Sequence, residues 1–172
     1  MLKRYDARPG GAPDAVSWTA RLRLEGGLAR GRSRGHGLDV LAPVRFTSGG
    51  DAAPAALDLL LCALGGEVLT AFAATAARAG LSLDALEAAV VAHLENPLVA
   101  AGVVGETGSP ALAAAQVTLY ASSPDAEEDL RQALDLALAR CPVQSTLGRA
   151  CHLEVLLHLV PDEGMRRALI AE

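Results

Sequence analysis

The first quarter of the chain carries the polar–apolar alternation of half-buried β-strands. Residues 21–24 read Arg-Leu-Arg-Leu, and a period of two is typical of a strand with one face buried. A Glu-Gly-Gly turn signal at 25–27 separates this run from two further strand-like runs. We therefore predict an antiparallel meander, preceded by a loose arm at residues 1–15. The predicted strands are 16–24, 28–33 and 38–41.

A long helix is predicted from Leu57 to Ala79, because this stretch is apolar almost all round. Asp51 is a candidate N-cap, Pro54 suits the first turn, and Gly80 suits the stop after the last turn. A helix that is apolar on every side needs burial on several sides. We expect a second subunit to cover one of them.

The rest of the chain predicts two strands, a second helix and a last strand. Ser123 is the expected N-cap of that helix, Pro124 its first position, and Cys141-Pro142 its end. The order β-β-β-α-β-β-α-β indicates an α+β fold of antiparallel sheets and two main helices, in one domain spanning 1–172. The remaining predicted segments are strand 83–94, loop 95–110, strand 113–122, helix 125–140, strand 152–160 and a C-terminal tail at 162–172.

Composition and charge exclude several classes of protein. The 172 residues are 51% hydrophobic, which is enough for a core, and they carry 15 Lys and Arg against 20 Asp and Glu, a net charge of −5. An acidic chain lacks the basic face that binds nucleic acid. Charges at Asp58, Glu67 and Arg78 interrupt the longest apolar stretch, which argues against a membrane span. The N-terminus lacks the apolar run of a signal peptide, and three cysteines favour a reducing cytoplasm.

Glu67 and Cys141 are the positions that call for a chemical explanation. A carboxylate within an apolar helix is costly unless it faces water or a polar site. Glu67 is therefore either a solvated helix-surface residue or a partly desolvated group that binds a cationic or hydroxylic ligand, or acts as general acid or base. Cys141, in Cys141-Pro142-Val143, is either an inert thiol or a reactive one.

The other candidate residues have plainer interpretations. Cys62 precedes Glu67 by five residues, about 140° around the helix, so it is best interpreted as a core residue on another side. Cys151 opens a strand and is interpreted as structural. The Arg30, Arg32 and Arg34 patch is interpreted as solvated strand or loop charge. No Cys or His spacing is typical of zinc sites, so we expect neither metal nor cofactor.

Three stretches give the chain a resemblance to the OsmC/Ohr family, the osmotically inducible and organic-hydroperoxide-resistance proteins. Residues 58–67, Asp-Leu-Leu-Leu-Cys-Ala-Leu-Gly-Gly-Glu, resemble the family helix that presents a cysteine. Residues 139–143, Ala-Arg-Cys-Pro-Val, resemble its second cysteine motif. Residues 34–51 resemble more loosely the strand and loop before the helix. The resemblance spans roughly residues 18–160.

This resemblance implies an intertwined homodimer with active sites at the subunit interface. In the family, a peroxidatic cysteine attacks an organic hydroperoxide, a second cysteine resolves the sulfenic acid as a disulfide, and a dithiol reductant reopens it. In register, Glu67 stands at the peroxidatic position and Cys141 at the resolving position. Arg32 or Arg34 is the candidate for the family's activating arginine.

Two further positions follow from the same register. Asp58 matches an acidic residue at the helix start, and with Cys62 it is the candidate for substrate binding. A second branch of the family has a catalytic glutamate here, but in register that position falls on Leu57, so this role is empty. Asp58 and Cys62, with Glu67, Cys141, Arg32 and Arg34, form the predicted site.

Two functions are compatible with this pattern. One is the family's thiol-dependent reduction of organic hydroperoxides, impaired or altered by Glu67 and surviving in part through Cys141 or Cys62. The other is a homodimer without peroxidase activity that binds a small molecule in the interface pocket around Glu67 and Cys141. The expected partners are a second copy of the chain, a small molecule or organic hydroperoxide, and a dithiol reductant.

Overall fold

A computed structural model describes residues 18–26, 28–41 and 52–161, which form six strands and four helices. The predicted α+β class and the order of the main elements are confirmed; α2 and α4 are additions to that order. The predicted arm at 1–15, the tail at 162–172 and Asp51 lie outside the described residues. The elements are β1 Arg21–Glu25, β2 Leu28–Ser33, β3 His36–Leu41, α1 Ala56–Arg78, β4 Ala85–Leu94, α2 Pro97–Ala100, β5 Leu112–Ser122, α3 Glu127–Leu138, α4 Pro142–Ala150 and β6 His152–Leu159.

The first sheet is the predicted antiparallel meander, in the order β1-β2-β3. Its register places apolar side chains on one face and most of its charged side chains on the other, because neighbouring residues in a strand point to opposite faces. We call these the leucine face and the arginine face. The leucine face carries Leu22, Leu24, Ala29, Gly31, Leu38 and Val40, with the polar pair Ser33 and His36 at one end. The arginine face holds Arg21, Arg23, Glu25, Arg30, Arg32 and Asp39.

The second sheet has the order β4-β5-β6. The β4 and β5 strands pair antiparallel, as predicted, whereas β5 and β6 pair in parallel. The prediction of purely antiparallel sheets is therefore wrong for this pair. The reason is the connection: α3 and α4 lie between β5 and β6, and a helical crossover of this length returns the chain to the starting end of the sheet.

The core lies between this second sheet and two helices. From α1, Leu64, Val68 and Phe72 are fully buried; from β5, Val117 and Leu119 are fully buried. A large apolar side chain removed from water in this way stabilises the fold by about 1.5–3 kcal/mol. Further buried members come from α3 and β6: Leu130, Ala133, Leu134, Ala137 and Leu157.

Both ends of α1 are close to the predicted positions. At the start, the Ala55 N–H donates to Asp58 Oδ2 at 2.8 Å, which satisfies a donor just ahead of the helix. At the end, Gly80 has a φ of +78°, and the Leu81 N–H reaches back to the Ala76 carbonyl at 3.0 Å. This is the left-handed termination that glycine favours. By length and composition α1 could cross a membrane, although one side of it, with Leu64, Val68 and Phe72, is buried in the core.

The second half of the chain departs from prediction at α3 and α4. Ser123 is not the N-cap: its hydroxyl donates to the Ser82 carbonyl at 2.6 Å and accepts from the Asp125 N–H at 3.1 Å. The side chain of Ser123 therefore ties the loop before β4 to the loop before α3, and α3 begins at Glu127. The separate helix α4, from Pro142, occupies a segment for which no element was predicted.

Candidate functional site

Glu67 joins the middle of α1 to the start of α4. Its Oε1 accepts a hydrogen bond from the Val143 N–H at 3.1 Å, and its Oε2 accepts one from the Gln144 N–H at 2.9 Å. These amides belong to the first turn of α4, where backbone N–H groups have no partner within the helix. The helix dipole also favours negative charge at this end. Glu67 therefore caps α4 from a position 76 residues earlier in the chain.

The environment of Glu67 combines features of both sequence interpretations. The residue is half-buried, so its carboxylate is neither sealed in the core nor surrounded by water. Both oxygens are bound by backbone amides, and hydrogen bonds to an ionised acceptor are stronger than neutral ones. The partial desolvation of a carboxylate in an apolar helix is thus offset by two donors from α4.

Cys141 is the N-cap residue of α4 and lies in the core, 1% exposed. Its Sγ–H donates to the Ala137 carbonyl at 3.3 Å. Burial raises the pKa of the Cys141 thiol above its ordinary value of 9.0, and the nearby negative charge of Glu67 raises this pKa further. Since the thiolate is the nucleophilic form, Cys141 is held in its unreactive form near neutral pH.

The corner between α3 and α4 explains this position. The Arg140 N–H donates to the Ala137 carbonyl at 2.9 Å and the Cys141 N–H to the Leu138 carbonyl at 3.1 Å, which closes the last turn of α3. Pro142 then opens α4, because its fixed φ suits a first helical position and its missing N–H needs no partner there. The corner turns the Cys141 side chain inward and the first amides of α4 toward Glu67.

Asp58 and Cys62 lie elsewhere on α1. The Asp58 carboxylate is occupied by the Ala55 N–H at the helix start. The interpretation of Cys62 as a core residue is wrong, because Cys62 is exposed; it lines a groove between α1 and β4, which we call the Cys62 groove. That groove lies on the side of α1 away from Glu67, as the helical spacing predicted. Its lining is Leu61, Cys62, Gly65, Gly66, Leu69, Ala88 and Val90.

The two predicted arginines belong to the first sheet. Arg32 lies on the arginine face of β2, opposite Arg21 in β1. Arg34 lies in the turn between β2 and β3, with a φ of +51°. Within the described residues, no hydrogen bond or ion pair joins either arginine to Glu67 or Cys141. The chain thus brings Glu67 and Cys141 together, and the activating role of Arg32 or Arg34 stays a prediction.

Sequence reasoning missed the amides of Val143 and Gln144 as functional groups. The signal that could have found them is Pro142 itself, because proline is favoured at the first position of a helix. A second apolar groove, the α1–α2 groove, was also missed. It lies where the first turns of α1 meet α2 and the facing ends of β4 and β5. Its lining is Ala56, Leu57, Leu60, Leu94, Val99, Ala100, Pro110 and Leu112.

Comparison with known families and solved structures identifies the fold. The sequence matches the model of the OsmC family, described as OsmC-like protein, over residues 49–155. No protein of curated function matches it significantly.

Three solved structures show the same fold at low identity. An OsmC-like protein from Mycoplasma pneumoniae is 20% identical with a TM-score of 0.66, covering 84% of this chain and 98% of that one. The organic hydroperoxide resistance protein OsmC from Legionella pneumophila is 14% identical with a TM-score of 0.61, over 84% and 98%. The organic hydroperoxide resistance protein OhrB of Bacillus subtilis is 15% identical with a TM-score of 0.53, over 83% and 98%. With the family match covering more than half of the sequence, this protein belongs to the OsmC/Ohr family.

Proposed function

We propose that this protein is an OsmC/Ohr-family member that has lost the family's thiol-peroxidase turnover and binds a small molecule as a cytoplasmic homodimer. The proposed loss of peroxidase turnover rests on one observation: the Glu67 carboxylate is bound to the Val143 and Gln144 amides. The position that the family resemblance assigns to the attacking thiol holds a side chain that is already engaged in capping α4.

The family's chemistry needs a thiolate at that position. The thiolate attacks the peroxide O–O bond, takes one oxygen as a sulfenate and releases the alcohol; a second thiol then displaces water to form a disulfide. A carboxylate has no sulfur to accept the oxygen, so Glu67 has no part in either step. Cys141 is a poor substitute, because burial and the charge of Glu67 both keep it protonated.

The proposal for a homodimer rests on apolar surface that this chain leaves open. In the first sheet, Leu22 is 59% exposed and Leu24 is 73% exposed. Cys62 and Gly66 are exposed on α1, on a side of that helix that is as apolar as the buried one. Exposed apolar surface is typical of protein–protein contacts, and a second copy of the chain would cover both areas.

The α1–α2 groove favours the binding of a small apolar or hydroxylic molecule. Its lining is aliphatic, and Leu60 lies seven residues before Glu67 on α1. Seven residues are 20° short of two turns, so the two side chains share one side of the helix about 10 Å apart. An aliphatic chain in the groove could direct a hydroxyl group toward the polar end of α4 at Glu67. Such pairing of an apolar groove with few polar groups is typical of ligand sites.

A peroxide assay tests the loss of turnover. The protein is mixed with tert-butyl hydroperoxide and dithiothreitol, and peroxide loss is followed beside the dithiol alone. We expect no acceleration by the natural chain. Glu67→Cys restores a thiol at the start of α4, so we expect turnover that Cys141→Ser then removes. Cys151→Ser is the matched control and should not affect it. Turnover by the natural chain that Cys141→Ser abolishes would overturn the proposal.

Binding and assembly need separate experiments. Titration calorimetry with 1-octanol should give saturable binding that Leu60→Asn weakens and Leu136→Asn, on the exposed side of α3, leaves unchanged. Light scattering during gel filtration should give twice the mass of one chain. A monomer at micromolar concentration, or octanol binding insensitive to Leu60→Asn, would contradict these parts of the proposal without affecting the peroxidase result.

A further inference from the structure

The arginine face of the first sheet concentrates positive charge in an acidic protein. Residues 18–41 carry five arginines against two carboxylates, a net charge of +3, whereas the whole chain carries −5. The strand register places four of these arginines on one face. A depression in this face is lined by both carboxylates and by the arginines Arg21, Arg23, Arg30 and Arg32.

The carboxylates of this face compensate one end of it. Arg30 lies 3.3 Å from Glu25 and 3.6 Å from Asp39, measured from guanidinium nitrogen to carboxylate oxygen. Arg23 lies 3.9 Å from Glu25. The two carboxylates thus neutralise the charges of Arg23 and Arg30, and the net charge of that end of the face is close to zero.

The other end of the face holds two arginines for which the described part of the chain supplies no such ion pair. Arg21 and Arg32 stand directly opposite each other on β1 and β2. Like charges in a cross-strand pair destabilise a sheet, and no carboxylate among the described residues lies within 4.0 Å of either guanidinium group. The neighbour of Arg32 on β3 is Gly37, which has no side chain to fill the space beside the pair.

We propose that the arginine face binds a phosphomonoester dianion between Arg21 and Arg32. A dianion removes the repulsion of the cross-strand pair, and two planar guanidinium groups can each donate two hydrogen bonds to phosphate oxygens. Gly37 leaves room for the tetrahedral phosphate. The described part of this face carries no aromatic side chain, which separates it from surfaces that stack the bases of single-stranded nucleic acid.

Two kinds of molecule carry a phosphomonoester group that could bind here: a soluble phosphomonoester and the lipid phosphatidate, through its headgroup. Titrations of the full chain use glycerol 3-phosphate in one arm, and vesicles of phosphatidylcholine with or without phosphatidate in the other. Trp18, exposed and three residues before Arg21, is the single tryptophan of the chain and reports binding by fluorescence. Saturation in the soluble arm assigns a soluble ligand; saturation with phosphatidate vesicles alone assigns the lipid headgroup.

Substitutions distinguish specific phosphate binding between Arg21 and Arg32 from non-specific electrostatic attraction to the arginine face. Replacing Arg21 and Arg32 together by Gln should weaken binding about tenfold or more, since hydrogen bonds to charged groups are at stake. The double Lys variant keeps the charge and loses the planar fork, and it should also bind less tightly. Arg131→Gln on exposed α3 is the control and should bind normally. Absence of saturable binding in both arms, or full affinity in either double variant, overturns the proposal.

Discussion

The two sheets of this protein differ in whether the rest of the described chain buries their apolar faces. The second sheet covers one face with α1 and α3, and its central strand β5 buries Ala115, Val117, Leu119 and Ala121. The first sheet has the same number of strands and an equally regular register, yet every residue of β1 is exposed. A regular strand pattern thus predicts that a face will be buried without naming what buries it.

The first sheet and the region formed by the helices and the second sheet are held together by different contacts. The first sheet meets α1 at a bridge between Leu41 and Ala55, where the Leu41 N–H donates to the Pro54 carbonyl at 2.9 Å. The second region is held together by its core and, at α4, by the Glu67 carboxylate. Changes in the second region should therefore alter the stability of one chain, and changes on the leucine face should alter assembly.

The largest expected effect is in the core of the second region. Phe72→Ala removes a fully buried ring and should lower the free energy of unfolding by about 3–5 kcal/mol. Urea unfolding followed by circular dichroism measures the change. Leu136→Ala, half exposed on α3, is the control and should stay within about 0.5 kcal/mol. A small loss at Phe72 would mean that the core is not where the contrast places it.

Two adjacent glycines test the close approach of α1 to β4. A Cβ at Gly65 would lie 2.7 Å from Val90 Cγ2, whereas a Cβ at Gly66 would meet nothing within 4 Å. Gly65→Ala should therefore cost about 1–3 kcal/mol through overpacking. Gly66→Ala should be neutral or stabilise by up to about 1 kcal/mol through helix propensity. Equal effects in urea unfolding would show that α1 does not pack on β4 through Gly65.

The leucine face should respond in assembly rather than in chain stability. Replacing Leu22 and Leu24 by Ser removes apolar surface that the proposed second copy covers. We expect the dissociation constant of the dimer to rise at least about tenfold, because each buried leucine contributes about 1.5 kcal/mol or more. Sedimentation equilibrium measures it, with Arg23→Gln on the opposite face as the control. An unchanged constant would exclude the leucine face as the contact.

The cap at α4 is expected to have a smaller effect. Glu67→Gln removes the negative charge from the start of α4 and should destabilise by about 1 kcal/mol or less, since the site is partly exposed. Hydrogen exchange should accelerate at the Val143 and Gln144 amides, with Glu95→Gln as the control. The pKa of Cys141 should fall, because one of the two causes that raise it is removed, and alkylation of Cys141 at pH 8 should become faster.

The smallest effect is a pH dependence from Cys141. Its pKa is raised in the folded chain above the ordinary value of 9.0, so the folded state holds this proton more tightly than the unfolded state does. The contribution of Cys141 to stability is therefore complete below about pH 9 and is lost as the pH rises past that value. Melting temperatures from pH 7 to 10 should fall less steeply for Cys141→Ala than for the natural chain. Parallel curves would contradict a raised pKa.

The elements that were predicted correctly are those whose signal is local. The alternation at 21–24 repeats the strand period twice, and the apolar run from Leu57 is too long for a strand, so local pattern alone identifies a strand and a helix. The nine residues of α4 span fewer than three turns, too few for the period to stand out. The parallel pairing of β6 was not predictable locally, because it depends on which end of the sheet the crossover reaches.

The candidate site likewise has a part that the sequence predicted and a part that it did not. The register of the family motifs brought Glu67 and Cys141 together, and the structure places them at the start of one helix. The groups that bind Glu67 are backbone amides of Val143 and Gln144, which every residue except proline carries, so no residue type marks them in a sequence. The state of Cys141 depends likewise on burial, which is a property of the surrounding fold.

The sequence by itself determined the family, the elements with a clear local signal, and the presence of a carboxylate where the family resemblance expects a thiol. The tertiary structure decided what that carboxylate does, because the donors that bind it come from a helix 76 residues away. It also decided that Cys141 is held as a neutral thiol and that the leucine face is not covered by the residues that the structure describes. Hydrogen bonding, desolvation and burial depend on contacts between segments that are far apart in the sequence. Their strength is therefore determined only in the folded structure.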